Sequence, residues 1–203
     1  MTRSPWLLRA LFPGLLWHGD RKLKQVFLTF DDGPHPDVTP RVLDLLEQYH
    51  AKATFFCVGA NVEAYPQIFH RLRESGHTVG NHTWSHCSGW GMSRKAYVDE
   101  VQKTAILVPG RLFRPPYGRI GPAQYFAVRK THHVVMWDVL SYDWKSDRSS
   151  ERIAADVLKA IRPGSVVVFH DSAKAAPRML SALEIVLQGL NTQGLECVAL
   201  DAF

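Results

Sequence analysis

Three cysteines, no long apolar run, no repeat and little charge excess beyond the first two dozen residues each remove a class of protein. Cys57, Cys87 and Cys197 are odd in number and far apart, which argues against a disulfide framework and for reduced thiols in a cytoplasmic setting. No stretch reaches the ~20 apolar residues of a spanning helix. Trp6 to Trp17 comes nearest, but Arg9 and Pro13-Gly14 interrupt it, and it lacks the small-residue cleavage site of a signal peptide. The 24 Lys and Arg against 19 Asp and Glu give +5. Arg3, Arg9, Arg21, Lys22 and Lys24, less Asp20, place +4 of this before residue 25. The rest is nearly neutral, with no broad basic face to track a nucleic-acid backbone, so nucleic acid is not an expected partner.

What is present reads as one catalytic unit, 25–203, preceded by a basic, apolar segment, 1–24. The 203 residues suffice to bury a core without disulfides or a structural metal. The segment fits packing against the domain; its cationic, aromatic composition also fits peripheral contact with a membrane interface. The expected setting is the cytoplasm or the inner face of a membrane.

Short β-rich runs alternate with helical patterns. Strands are expected at Val26–Phe30, Ala53–Val58, Thr78–Asn81, Leu112–Arg114, Val134–Trp137, Ser165–Phe169 and Leu195–Leu200. Helices are expected at Thr39–Tyr49, Pro66–Ser75, Ser93–Leu107, Pro122–Lys130, Ser150–Ile161 and Arg178–Leu190. Such alternation demands a parallel sheet, closed or open. Polar residues choose between them: Asp31 and Asp32, His82 and His86, Arg114, Asp138 and His170 all follow strand ends. A barrel gathers those ends on one rim, whereas an open sheet strings them along a line. The expected fold is α/β, a distorted and incomplete (β/α)7 TIM-like barrel.

Each motif has a bland reading. Asp31-Asp32-Gly33-Pro34 alone is an ordinary turn; at the end of an apolar strand, its two carboxylates diverge, one free to bind a metal and the other to reach water on it. His82 and His86, four apart, would share one face of a helical turn and chelate an ion; otherwise they are surface histidines. Asp32, His82 and His86 together leave a coordination position open, the pattern of a catalytic zinc site. Arg114-Pro115-Pro116-Tyr117 could hold a carboxylate and present a backbone N–H. Asp143-Trp144 and His170 alone would be a polar loop and a structural histidine. Cys87 lies off the face the two histidines share and is not an expected ligand.

Thr29-Phe30-Asp31-Asp32-Gly33-Pro34, His82-Thr83-Trp84-Ser85-His86, Arg114-Pro115-Pro116-Tyr117, Asp143-Trp144 and Val167-Val168-Phe169-His170 resemble, in order and spacing, the polysaccharide deacetylase family, the NodB-homology domain of carbohydrate esterase family four. The resemblance implies a metal-dependent hydrolase that removes N-acetyl, or O-acetyl, groups from a carbohydrate. It implies Asp31 as catalytic base, Asp32, His82 and His86 as ligands of Zn2+ (or Co2+ or Ni2+), and His170 as general acid. It further implies Arg114 paired with the base, Asp143 orienting the acid, the Tyr117 amide facing the oxyanion, and Trp144 and Val167 shaping the acetyl-methyl pocket. The chain departs from the pattern at Leu140, where the family often has Asp, and Asp138 is the expected partial substitute. A hydrolase of a non-sugar amide and an inactive glycan-binding barrel are the competing readings.

Overall fold

β-Branched and aromatic residues crowd the runs that become the longest strands, and their near-total burial marks a sheet covered on both faces. The computed structural model describes residues 3, 4 and 6–200, with the side chains of residues 8, 9 and 11 excluded. Residues 1, 2, 5 and 201–203 of the two expected segments lie outside it. The strands are β1 (Gln25–Asp31), β2 (Ala53–Cys57), β3 (Thr78–Asn81), β4 (Leu112–Phe113), β5 (His133–Val134), β6 (Val139–Leu140), β7 (Val166–His170) and β8 (Glu196–Cys197). All ladders are parallel, in the order β5-β4-β3-β2-β1-β7-β6, with β8 beside β1.

Alternation along the strands sorts two interiors. Val26, Leu28 and Phe30, with Phe55, Val167 and Phe169, join the large core under the helices. The helices are α1 (Trp6–Leu11), α2 (Thr39–Gln48), α3 (Gly59–Ala64), α4 (Pro66–Glu74), α5 (Arg94–Ala105), α6 (Pro122–Val128), α7 (Ser150–Ala160) and α8 (Ala176–Thr192). Phe30 stacks between Phe55 and Phe169, ring centroids 4.9 and 6.0 Å away. The opposite parity, Phe27, Phe56, Leu112, Val135 and Val166, fills the barrel interior together with Leu200. Side chains one step further along these strands therefore stand on the carboxyl-terminal rim.

Three expectations are corrected. The strand expected at Val134–Trp137 survives only at Val134, in β5, and an unexpected strand, β6, lies at the opposite end of the sheet from it. The amino-terminal segment crosses the opening between them. Leu16 bridges to Val135 and Arg3 to Val139, through Leu16 N–H to Val134 C=O at 2.9 Å, Met136 N–H to Leu16 C=O at 2.7 Å and Ser4 N–H to Asp138 C=O at 3.0 Å. Asp138, expected on the catalytic rim, precedes β6 and is buried at the other end, bonded to Arg21 and Ser165. Helix α3 was not anticipated from sequence.

Candidate active site

Asp31 closes β1 on the interior parity and meets a buried cation. Arg114 Nη1 donates to Asp31 Oδ1 at 2.7 Å, and the guanidinium is fixed by Thr29 Oγ1 at 2.7 Å, Met136 C=O at 2.9 Å and Val135 C=O at 3.3 Å. It also lies 4.1 Å over the Phe56 ring. Asp32 takes φ 82°, which turns its carboxylate away from that of its neighbour, while Asn61 Nδ2 donates to its carbonyl at 2.8 Å. Two adjacent carboxylates thus face different partners.

Past β3, Asn81 builds the histidine loop: its Nδ2 donates to Val101 C=O and its Oδ1 accepts from Thr83 N–H. The loop is not the helical turn the spacing suggested. Thr83 and His86 both have left-handed φ, 64° and 56°, and amides from the start of α3, Gly59 and Ala60, donate to Thr83 and Trp84 carbonyls. His82 Nδ1 is 2.8 Å from Arg114 C=O; a carbonyl only accepts, so Nδ1 carries the proton and Nε2 offers its lone pair. Nε2 of His82 and of His86 lie 3.9 and 3.1 Å from Asp32 Oδ1. Burial, then the neighbouring His86, outweighs the nearby aspartates and lowers the His82 pKa to about 4, which keeps the imidazole neutral. Burial opposes ionisation of Asp32, but the His86 hydrogen bond and the surrounding imidazoles prevail and hold its carboxyl well below the usual range.

The three ligand atoms lie within 4.8 Å of one another, the one such cluster among the described residues. One carboxylate oxygen and two imidazole nitrogens on one side of a cavity fit a divalent transition ion with open positions.

The facing wall carries the other polar groups. Gly118 and Arg119 amides donate to Pro115 and Pro116 carbonyls, closing a turn in which Tyr117 has φ 59°; the Tyr117 amide takes no part in these two bonds. The Tyr117 ring meets His86 edge-on at 4.7 Å. His170 ends β7. Asp143 Oδ1 accepts from its Nδ1 and Oδ2 from its backbone N–H, both at 2.8 Å, and Trp144 lies edge-on at 4.7 Å. Burial alone would lower the His170 pKa, but Asp143 first, then Asp32 and Asp31, raise it to about 9. These walls enclose a cavity of about 330 Å³ lined by Asp31, Asp32, His82, His86, Tyr117, Trp144 and His170, with Leu140, Val168, Ser172 and Lys174.

The expected site residues therefore converge, with one exception. Val167 packs in the helix-covered core; Val168, on the parity of His170, lines the cavity instead. Leu140 does face it, and Asp138 cannot replace the family's Asp from the opposite rim. Asp171 was missed: its Oδ1 accepts from Gly33 N–H at 3.1 Å, its Oδ2 from Thr39 Oγ1, and its amide donates to Asp31 C=O. Burial, against the Thr39 bond, pushes its carboxyl up to about 8. An Asp directly after the rim histidine was the signal available.

A family model for polysaccharide deacetylase matches residues 18–136. The chain is 36% identical over 184 residues to a peptidoglycan-N-acetylglucosamine deacetylase of Bacillus cereus, covering 87% of this chain and 66% of that protein. It is 33% identical over 185 residues to the peptidoglycan-N-acetylmuramic acid deacetylase PdaC of Bacillus subtilis, covering 88% of this chain and 38% of PdaC. The chain thus spans two thirds or less of the length of these relatives. It superimposes on the crystal structure of the Bc1960 peptidoglycan N-acetylglucosamine deacetylase with a TM-score of 0.88 and 32% identity, covering 97% of this chain and 95% of that one. Family model, shared barrel and ordered rim motifs together make this chain a member of the polysaccharide deacetylase family.

Proposed function

We propose that the chain is a metal-dependent hydrolase that removes acetyl groups, N-acetyl in the first place, from an N-acetylglucosamine-containing glycan. One observation carries this reading: a base with its buried cation, a three-ligand cluster and an oriented histidine face one another across a single cavity. Asp32, His82 and His86 would hold the ion, zinc by its preference for this donor set, which supplies Lewis acidity to the acetyl carbonyl and lowers the pKa of water. Asp31, held by Arg114, takes the proton of the attacking water. The Tyr117 N–H faces the oxygen on which charge develops. His170, oriented by Asp143, gives a proton to the departing amine, while Trp144 and Val168 bound the space for the acetyl methyl.

A complete set of these groups disfavours an inactive barrel. Leu140 gives the cavity an apolar wall where the family often has a carboxylate and so bears on the substrate groove. Peripheral contact of residues 1–24 with the inner face of a membrane belongs to the same proposal; no helix among the described residues is long and apolar enough to cross one. Metal analysis tests the ligand set: the His82→Ala, His86→Ala double variant should lose stoichiometric metal, and metal retained together with activity would refute the triad.

A further inference from the structure

Opposite the catalytic rim, three arginines gather around one carboxylate. Arg21 Nη2 is 2.9 Å from Asp138 Oδ2, and its Nη1 donates to Pro163 C=O at 2.8 Å and Ser165 Oγ at 3.3 Å. Arg3 Nη2 stands 3.6 Å from the same Asp138 oxygen, and its Nε and Nη2 are buried without a hydrogen-bond partner. Arg162 is exposed beside them; burial, then Arg21 and Arg3, lowers its pKa, as expected of cations crowded with too little counter-charge. A depression of about 540 Å³ opens here, lined by Trp6, Ala10, His18, Arg21, Arg162 and Pro163.

Large apolar side chains stand out on the segments that form this depression. Trp6, on its wall, is 73% exposed and the next residue, Leu7, 55%; Leu23, two residues beyond Arg21, is 50% exposed, with Lys22 and Lys24 exposed on either side of it. Apolar groups alone would suit many partners, but guanidinium groups that outnumber the carboxylate they gather around favour an anion. A second copy is disfavoured, since an isologous contact would set one arginine cluster against the other. Exposed Trp and Leu beside clustered cations combine the two signals that hold a protein on a charged bilayer.

We propose that this face docks on an anionic phospholipid surface, with a headgroup phosphate in the Arg21–Arg162 depression and Trp6, Leu7 and Leu23 entering the interface. The seven residues of β1, at ~3.3 Å each, separate this face from the catalytic rim by about 20 Å. A docked molecule therefore opens its cavity away from the bilayer, toward a glycan that stands off the membrane. This deepens the membrane part of the reading above and rests on no catalytic step.

The test is co-sedimentation of the full chain with phosphatidylcholine vesicles, with and without phosphatidylglycerol. The chain should partition to the anionic vesicles only, and less as salt is added. Arg162→Glu, an exposed and non-catalytic position, should lower that partition by at least about tenfold. Trp6→Ser with Leu7→Ser should weaken it as well, and each variant should keep its melting temperature. Equal partition to neutral vesicles, no effect of Arg162→Glu, or thermal stabilisation by inorganic phosphate without vesicle binding would overturn the proposal, the last by assigning the site to a soluble anion. Acetate release from a soluble glycan reports separately on catalysis, so failure of one reading leaves the other standing.

Discussion

At the scale of the residue, each role proposed for a side chain in the cavity rests on what that side chain faces. Asp31 and Asp32 share a chemistry and differ in what they face, Arg114 for one and two imidazoles for the other. Asp31→Asn should abolish turnover while metal binding persists, because an amide accepts no proton from water yet Asp32 still ligates. Isothermal titration with zinc checks this, and loss of metal affinity would mean the two aspartates exchange roles. His170 must be protonated to serve the amine. With its pKa raised to about 9, the proton is present at neutral pH and lost as pH rises through that value, so kcat on an amide should fall there. Asp143→Asn removes the largest raising influence, and burial then dominates. The basic limb should move down toward or below the ordinary 6.5; an unmoved limb would detach His170 from that step. The motif residues were legible because their chemistry is carried by type and spacing. Val167 departs from its expected place because side chains alternate along a strand, so that Val168, two residues before His170, shares its face.

At the scale of the element, most strands were readable, the two-residue β4 and β8 among them, and β6 was not. The strands β1, β2 and β7 are five to seven residues long and rich in Val, Thr and Phe. By contrast the apolar run Val134–Trp137 reads as one strand, yet only Val134 lies in β5 and β6 follows at the other side of the barrel opening. The histidine loop shows the same limit: i,i+4 spacing names the candidate ligands, whereas left-handed Thr83 and His86, set by Asn81 and α3, decide the path. Asp171 acts between elements, joining the ends of β1 and β7. Asp171→Ala would leave the buried Gly33 N–H without an acceptor and should lower unfolding free energy by about 1–3 kcal/mol, with weaker zinc affinity as the Asp32 turn loosens. Denaturant unfolding and zinc titration measure both. Unchanged zinc affinity would show that the turn is held without Asp171.

At the scale of the whole molecule, the barrel is open between β5 and β6, and the amino-terminal segment spans that opening by main-chain bonds at Ser4 and Leu16. Sequence showed a segment fit to pack on the domain but not the gap it fills, because a gap exists only once strand order is known. The curl of the sheet gathers strand ends that are far apart in the chain, so Asp31, His82, Arg114 and His170 meet on one rim. The central claim is that this rim performs metal-dependent deacetylation, and release of acetate from N-acetylglucosamine oligomers tests it most directly. The zinc-loaded chain should release acetate, lose that activity on chelation and regain it when the divalent ion is restored. No acetate from the reconstituted chain, or a rate indifferent to chelation, would contradict the account.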